Sequence, residues 1–327
     1  MINITNMIFF ILLILSSLFS ISSNSWISCW MGLEINLLSF IPLLYLNNLS
    51  SESMIKYFII QAMSSSLLLF SLIFMMIKYN YMMTLILNLS IFMKLGSAPF
   101  HYWYIQIIKI MNWMNCFILF TWQKIAPLVL ISYNLNTKMM YSFVLINIIM
   151  GSIEGLNQIS LKSIMNFSSI NHLGWMITLI FLNENLWMMY FMFYSMISLI
   201  LIIMFNMLNI SFLNQLYFLK NNFLNLFNII INLLSLGGLP PLLGFFPKWI
   251  SIQFMMINNQ LFLLFSMMMT SLITLYFYLR TSISVLILIN FKTKWINLIN
   301  NNIMNLIMFF NSFISIMLLL LISFMMF

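Results

Sequence analysis

Aspartate is missing from this sequence altogether, and the acidic side chains are four glutamates: Glu34, Glu52, Glu154 and Glu184. Charged residues make up only 5% of the chain. With no glycine-rich phosphate loop and no plausible nucleophile and base pair, nucleotide-binding and hydrolytic chemistry have no support. The two histidines, His101 and His172, are too few for a di-haem cytochrome, which needs about four axial ligands. The two cysteines, Cys29 and Cys116, are too few for an iron–sulfur cluster, which needs about four thiolates. Both lie in apolar stretches and read as buried, inert thiols, so they say nothing of compartment. The chain is expected to carry no electrons and no cofactor of its own.

What is present in excess is hydrocarbon. Hydrophobic residues make up 64% of 327, more than a soluble core of this length requires. Runs of roughly 17 to 25 largely apolar residues recur along the chain, each long enough to cross a ~30 Å hydrocarbon layer. They predict an all-α polytopic membrane protein of about eleven spans: 4–22, 25–47, 54–77, 81–108, 112–133, 139–157, 163–182, 186–208, 224–257, 260–283 and 303–326. The first lacks a basic leader and a small-residue cleavage site, so it reads as a retained helix and not as a signal peptide. No polar stretch is long enough for a soluble domain. The 33 methionines and 33 phenylalanines read as packing and lipid-facing residues, not a cofactor box.

The net charge of +8 is scattered singly, which argues against nucleic acid and serves orientation instead. By loop parity, Lys56, Lys109, Lys162, Lys220, Arg280, Lys292 and Lys294 fall on the side of the N-terminus, against Lys78 and Lys138 opposite. The positive-inside rule then puts the N-terminus in the cytoplasm or its organelle equivalent, and an odd span count puts the C-terminus outside. Glu52, Lys56, Lys292 and Lys294 read as solvated loop charges.

The fourth and ninth segments are too long for simple spans and contain breakers: Gly96 and Pro99 in the one, Gly237, Gly238, Pro240, Pro241 and Pro247 in the other. Proline cannot donate its backbone N–H. Pro99 therefore leaves the carbonyl of Leu95 free, Pro240 and Pro241 those of Leu236 and Gly237, Pro247 that of Leu243, and Pro127 that of Gln123. Such backbone is tolerated only when buried in protein or facing a wet cavity. Because both broken segments stand fourth in a block of five, the chain reads as two five-helix repeats of opposite direction, a transporter architecture. The expected division is 1–135, 136–285, and a loop with a C-terminal helix over 286–327, all within one membrane domain.

Four charges lie inside these spans: Glu34, Lys94, Lys124 and Lys248. An intramembrane charge costs about 2.5–3.5 kcal/mol on insertion scales and usually faces a functional path. The bland reading of each lysine is snorkelling to a headgroup. Lys124 is too deep for that, and the functional reading is favoured for Lys94, Lys248 and Glu34 as well. His172 is favoured as functional, whereas His101 reads equally well as a structural histidine. Glu154 and Lys162 read as a surface pair or, alternatively, a proton entrance. Gly151 and Gly155 form a GxxxG that predicts a close helix contact.

Three stretches together, MKLGSAPFHYW from Met93, SSINHLGWM from Ser168 and GGLPPLLGFFPKW from Gly237, resemble the chain 2 family of antiporter-like membrane subunits of respiratory complex I, NADH:ubiquinone oxidoreductase. The resemblance covers nearly the whole chain, in the short animal form that begins three helices later than bacterial relatives. With only three alanines (Ala62, Ala98 and Ala126), the composition looks like that of an AT-rich, insect-like mitochondrial genome. The resemblance implies two inverted five-helix units and a proton path with Glu34 as the acid of the first unit, Lys94 and Lys248 on the broken helices, and Lys124 on the helix after the first break. His172 would lie on the polar axis, though Asn171 stands where a small residue is expected.

It further implies the mitochondrial inner membrane, an N-terminus in the matrix and a C-terminus in the intermembrane space. Flavin, iron–sulfur clusters and the ubiquinone site would lie in other subunits. Partners would be neighbouring membrane-arm subunits, including antiporter-like ones, and lipids such as cardiolipin. Burial disfavours an ammonium and a nearby carboxylate favours it, so a pair such as Glu34 and Lys94 could capture or release a proton as it moves together or apart. Alternatives are a free-standing cation/proton antiporter and a purely structural membrane-arm subunit.

Overall fold

A chain dissolved in lipid satisfies its backbone only in helices or closed barrels, and the described residues of this one form helices. The computed structural model describes residues 4–45, 51–77, 81–216 and 223–289, without the side chains of 138, 223–225 and 287–289. In order the helices are α1 (Ile4–Ser22), α2 (Trp26–Tyr45), α3 (Ser51–Ile77), α4 (Tyr81–Leu95), α5 (Tyr102–Ile110), α6 (Trp113–Phe120) and α7 (Trp122–Tyr133). There follow α8 (Thr137–Leu156), α9 (Leu161–Leu182), α10 (Glu184–Met207), α11 (Leu213–Leu216), α12 (Phe223–Gly237), α13 (Phe245–Ile257) and α14 (Leu261–Ile289). The chain divides into two compact units, Met1–Asn147 and Ile148–Phe327.

Among the described residues, seven segments are long and apolar enough to cross a bilayer: α1, α2, α3, the α6–α7 pair, α8, α10 and α14. The other expected spans are the two interrupted segments, α9, and 303–326, which lies outside the described residues along with Lys78, Lys220, Lys292 and Lys294. The span expected over 112–133 is itself jointed at Thr121, between α6 and α7. Several charges counted with the loops lie in helices. Glu52 and Lys56 form an i,i+4 ion pair at the start of α3. Arg280 lies within α14 and donates to the carbonyl of Leu156, the last residue of α8. Lys109 likewise sits in the last turn of α5.

The first unit is polar within and greasy without. Helix α1 buries Leu13, Ser16, Ser17 and Ser20, while Met7, Ile8, Ile11, Leu15 and Leu18 are exposed. Lipid offers no hydrophobic drive between helices, so small residues that let backbones approach form the contacts. Gly32 of α2 meets Ser20 so closely that an added Cβ would lie 2.7 Å from the serine Cβ. The serine hydroxyls return to their own helix, Ser16 to the Leu13 carbonyl at 2.9 Å and Ser20 to that of Ser17 at 2.7 Å. Two tryptophans join helices across the unit: Trp30 Nε1 donates to the Ser65 carbonyl and Trp122 Nε1 to Ser17 Oγ, each at 3.1 Å.

In the second unit α9 is the central element, with 19 of its 22 residues buried. That explains its mixed composition: a helix surrounded by protein has no lipid face to keep apolar. Ser160 caps its start by accepting from the Ser163 N–H. The GxxxG of α8 makes the expected close contact, since a Cβ on Gly151 would meet the Asn171 backbone nitrogen at 2.8 Å and the Phe167 carbonyl at 2.9 Å. Gly155 faces the Phe277 ring.

Four helices end alike. Gly96, Asn209, Gly238 and Asn259 have positive φ after α4, α10, α12 and α13. Each donates to the carbonyl three residues back while the next N–H reaches five back, as at Gly96 to Met93 and Ser97 to Phe92. This is the Schellman arrangement, in which a left-handed residue satisfies carbonyls that the helix leaves open. Gly237 was expected to break the second segment together with Gly238; it is the last residue of α12, and Gly238 makes the turn.

Two tests of this packing follow. Replacing Gly151 by Leu forces α8 off α9 and is expected to destabilise the fold by about 1–3 kcal/mol or more, read as loss of assembled protein from the membrane. Gly244→Ala would drive a Cβ into the Ser235 carbonyl oxygen, whereas at Gly237 the nearest atom is 3.4 Å away. Gly244→Ala is expected to abolish accumulation and Gly237→Ala to leave it near normal, measured by blotting of native gels.

Candidate functional site

Breaking a helix inside a membrane creates backbone groups without partners, and each must be found one. At the first break the turn at Gly96 uses its own two N–H groups. The next, on Ala98, donates to Asn147 Oδ1 at 2.6 Å. Lys94 is the penultimate residue of α4, and its carbonyl accepts from Gln61 Nε2 of α3 at 3.3 Å. With the backbone satisfied by other residues, the Lys94 side chain turns into a cavity instead of capping its own helix.

That cavity lies wholly in the first unit and has about 20 Å³ for the centres of water-sized molecules, above the ~10–15 Å³ that one water needs. Its polar lining consists of Asn36, Tyr57, Gln61, Lys94, Gln123 and Lys124, with Trp103 and Tyr104 as aromatic walls. Both lysines are buried, Lys124 to 1% exposure. Lys124 stands in the first turn of α7, just beyond the Thr121 joint. There the Thr121 N–H and hydroxyl both go to the Phe117 carbonyl, and the Lys124 N–H goes to the Thr121 carbonyl. The ammonium lies 5.7 Å from the centre of the Tyr104 ring, within range of a cation–π attraction. Gln123 Nε2 donates to Asn36 Oδ1 at 2.9 Å and so ties α7 to α2.

Glu34 stands apart from this lining. It is half-buried on α2, within electrostatic reach of Lys94, but among the described residues no direct ion pair joins the two. His101 is buried at the start of α5, where its carbonyl accepts from the N–H groups of Tyr104 and Ile105, and it too lies outside the cavity lining.

The second unit solves the same backbone problem differently. Lys248, in the first turn of α13, reaches back so that its Nζ donates to the carbonyl of Gly237 at 2.8 Å. A charged donor makes this bond worth about 1.5–3 kcal/mol. The close approach requires the bare Gly238, where a Cβ would meet Lys248 Cδ at 2.9 Å. The carbonyl of Leu243, expected to be left free by Pro247, instead accepts from Phe246 N–H at 3.2 Å. His172 on α9 is buried, with Nδ1 2.8 Å from the Tyr190 hydroxyl and its ring against Tyr194 at 4.9 Å. Glu154 and Lys162 lie at the end of α8 and the start of α9, flanking their short connection, both half-buried.

Sequence reading missed Asn36, Tyr57, Gln61, Gln123, Asn147 and Tyr104. The signal was present for the amides, since a carboxamide inside an apolar span needs a partner as a charge does. Nothing in the sequence pattern pointed to Tyr104 among so many aromatics. Among the described residues no three of His, Cys, Asp or Glu come together as a metal site would require.

Comparison with known proteins places this geometry. Residues 23–274 match the family of NADH:quinone oxidoreductase/Mrp antiporter transmembrane proteins. The chain is 48% identical to NADH-ubiquinone oxidoreductase chain 2 of Anopheles gambiae, over 96% of each chain, and 49% identical to that of Aedes aegypti, over 98% of each. Its fold is similar to a chain of respiratory complex I from Thermus thermophilus with bound aureothin, with a TM-score of 0.84 at 18% identity, covering 97% of this chain and 78% of that one. With a family model over residues 23–274 and insect relatives matched over nearly their full length, this chain belongs to the NADH-ubiquinone oxidoreductase chain 2 family.

Proposed function

We propose that this chain is a membrane-arm subunit of complex I in the mitochondrial inner membrane, taking part in proton translocation coupled to NADH oxidation and ubiquinone reduction. The redox groups belong to other subunits, and neighbouring antiporter-like subunits and lipids such as cardiolipin pack against it. The observation that carries the reading is the first-unit cavity, whose amide-bearing lining includes both Lys94 and Lys124. Two ammonium groups there cannot both stay charged cheaply, because like charges in a low-dielectric site oppose each other. A proton gained by one is therefore coupled to the other. Glu34, within electrostatic reach of Lys94, biases that balance from outside the cavity.

In this reading Glu34, Lys94, Lys124 and Lys248 hold the proton in turn, with water between them, and His172, His101, Glu154 and Lys162 are further candidates along the way. The architecture proposed is eleven spans, as two inverted five-helix repeats over 1–135 and 136–285 with a last helix after them. The matching turns at Gly96 and Gly238 support it.

The lysines test the mechanism. Lys94→Met, Lys124→Met and Lys248→Met, each in the assembled complex, are expected to lower proton translocation about tenfold or more while leaving the complex assembled; proton uptake per NADH oxidised in sealed inner-membrane vesicles is the readout. Normal stoichiometry in all three would overturn a conducting role and favour a structural one. Orientation is tested separately: a tag at residue 1 is expected to be cleaved by protease only from the matrix side, and cleavage in intact mitoplasts would reverse the assignment.

A further inference from the structure

Tyr104, the third residue of α5, is 2% exposed and touches both backbone breaks of the first unit. Its ring lies against the first break, where a Cβ on Gly96 would meet Tyr104 Cγ at 3.0 Å. Its hydroxyl donates to the Leu119 carbonyl at 3.1 Å. Leu119 stands near the end of α6, two residues before the Thr121 joint, where a helix leaves carbonyls open. The face of the same ring lies under the Lys124 ammonium.

We infer that Tyr104 is a positioning residue that seats the Lys124 ammonium and ties its place to both backbone breaks of the first unit. This rests on the proposed role of Lys124 in moving a proton. An aromatic face carries a negative quadrupole that attracts a desolvated cation, and an aliphatic side chain of equal bulk fills the space without that attraction. The ring is fixed at two edges, by Gly96 and by Leu119. A shift of either break therefore moves the surface on which the cation rests. The arrangement needs a glycine at the first break for the ring to approach, and Gly96 supplies it.

Three variants in the assembled complex separate this role from simple packing. Tyr104→Leu is expected to slow proton uptake about fivefold or more, since a cation–π attraction is stronger for a buried cation than for an exposed one, with assembly retained. Tyr104→Phe keeps the face and is expected to recover most of the rate. In a Lys124→Met background, Tyr104→Leu should add no further loss, because coupled residues show up as non-additivity.

Leucine behaving as wild type, or phenylalanine as slow as leucine, would overturn the proposal. So would a full further loss in the Lys124→Met background. If Tyr104→Leu fails to assemble, Tyr104→Met, unbranched and of similar reach, is measured in its place against the same criteria. Failure of this inference is distinguishable from failure of the conducting model, which falls if Lys94→Met, Lys124→Met and Lys248→Met all pump normally.

Discussion

The fold depends on one constraint: a helix interrupted inside a membrane must find partners for every backbone group it exposes. In the first unit two amide side chains meet the need, Gln61 at the Lys94 carbonyl and Asn147 at the Ala98 N–H. In the second, Lys248 meets it at Gly237. The choice decides what each lysine is free to do. Lys94 stands before its turn and faces a cavity, while Lys248 comes ten residues after Gly238 and is held by the break itself. Alike turns thus carry their charges on opposite sides.

Much of this was legible beforehand, and for definite reasons. Lys124 and Lys94 stood out because a charge in an apolar run has no cheap explanation, and both prove buried in one cavity. The two breaks were visible through Gly96, Pro99 and the Gly237–Pro241 stretch, although glycine turns and not proline vacancies end the helices. The segment expected over 163–182 is helical, as α9. The Thr121 joint was not found, because a threonine six residues before Pro127 looks like any other residue of an apolar helix. Asn36, Gln61 and Gln123 were overlooked because neutral amides stand out less than charges, though inside lipid they face the same demand. Arg280, within the expected span 260–283, lies in α14.

The composition also reads differently with the structure at hand. Serines that would mark loops in a soluble protein here line helix contacts, each hydroxyl turned to its own backbone. Asparagine performs two jobs at once: it ends helices at Asn209 and Asn259, where glycine is the usual choice, and it fastens a break at Asn147. A chain with eight glycines thus keeps them for places where a side chain has no room, such as Gly32, Gly151 and Gly244.

The position of the two break lysines has an electrostatic side. Every helix carries partial negative charge at its C-terminal end, worth about 0.3–1 kcal/mol to a nearby cation and up to ~2 when partly buried. Lys94 sits in the last turn of α4, on the favourable pole. Lys248 begins at the opposite pole, in the first turn of α13, but by stretching back to Gly237 it delivers its ammonium to the negative end of α12. Lys94 by its position and Lys248 by its reach thus both stand at a helix C-terminus. A broken helix gives a membrane protein what an unbroken one cannot, a macrodipole terminus in the middle of its own fold, where a cation can be held without an acid beside it.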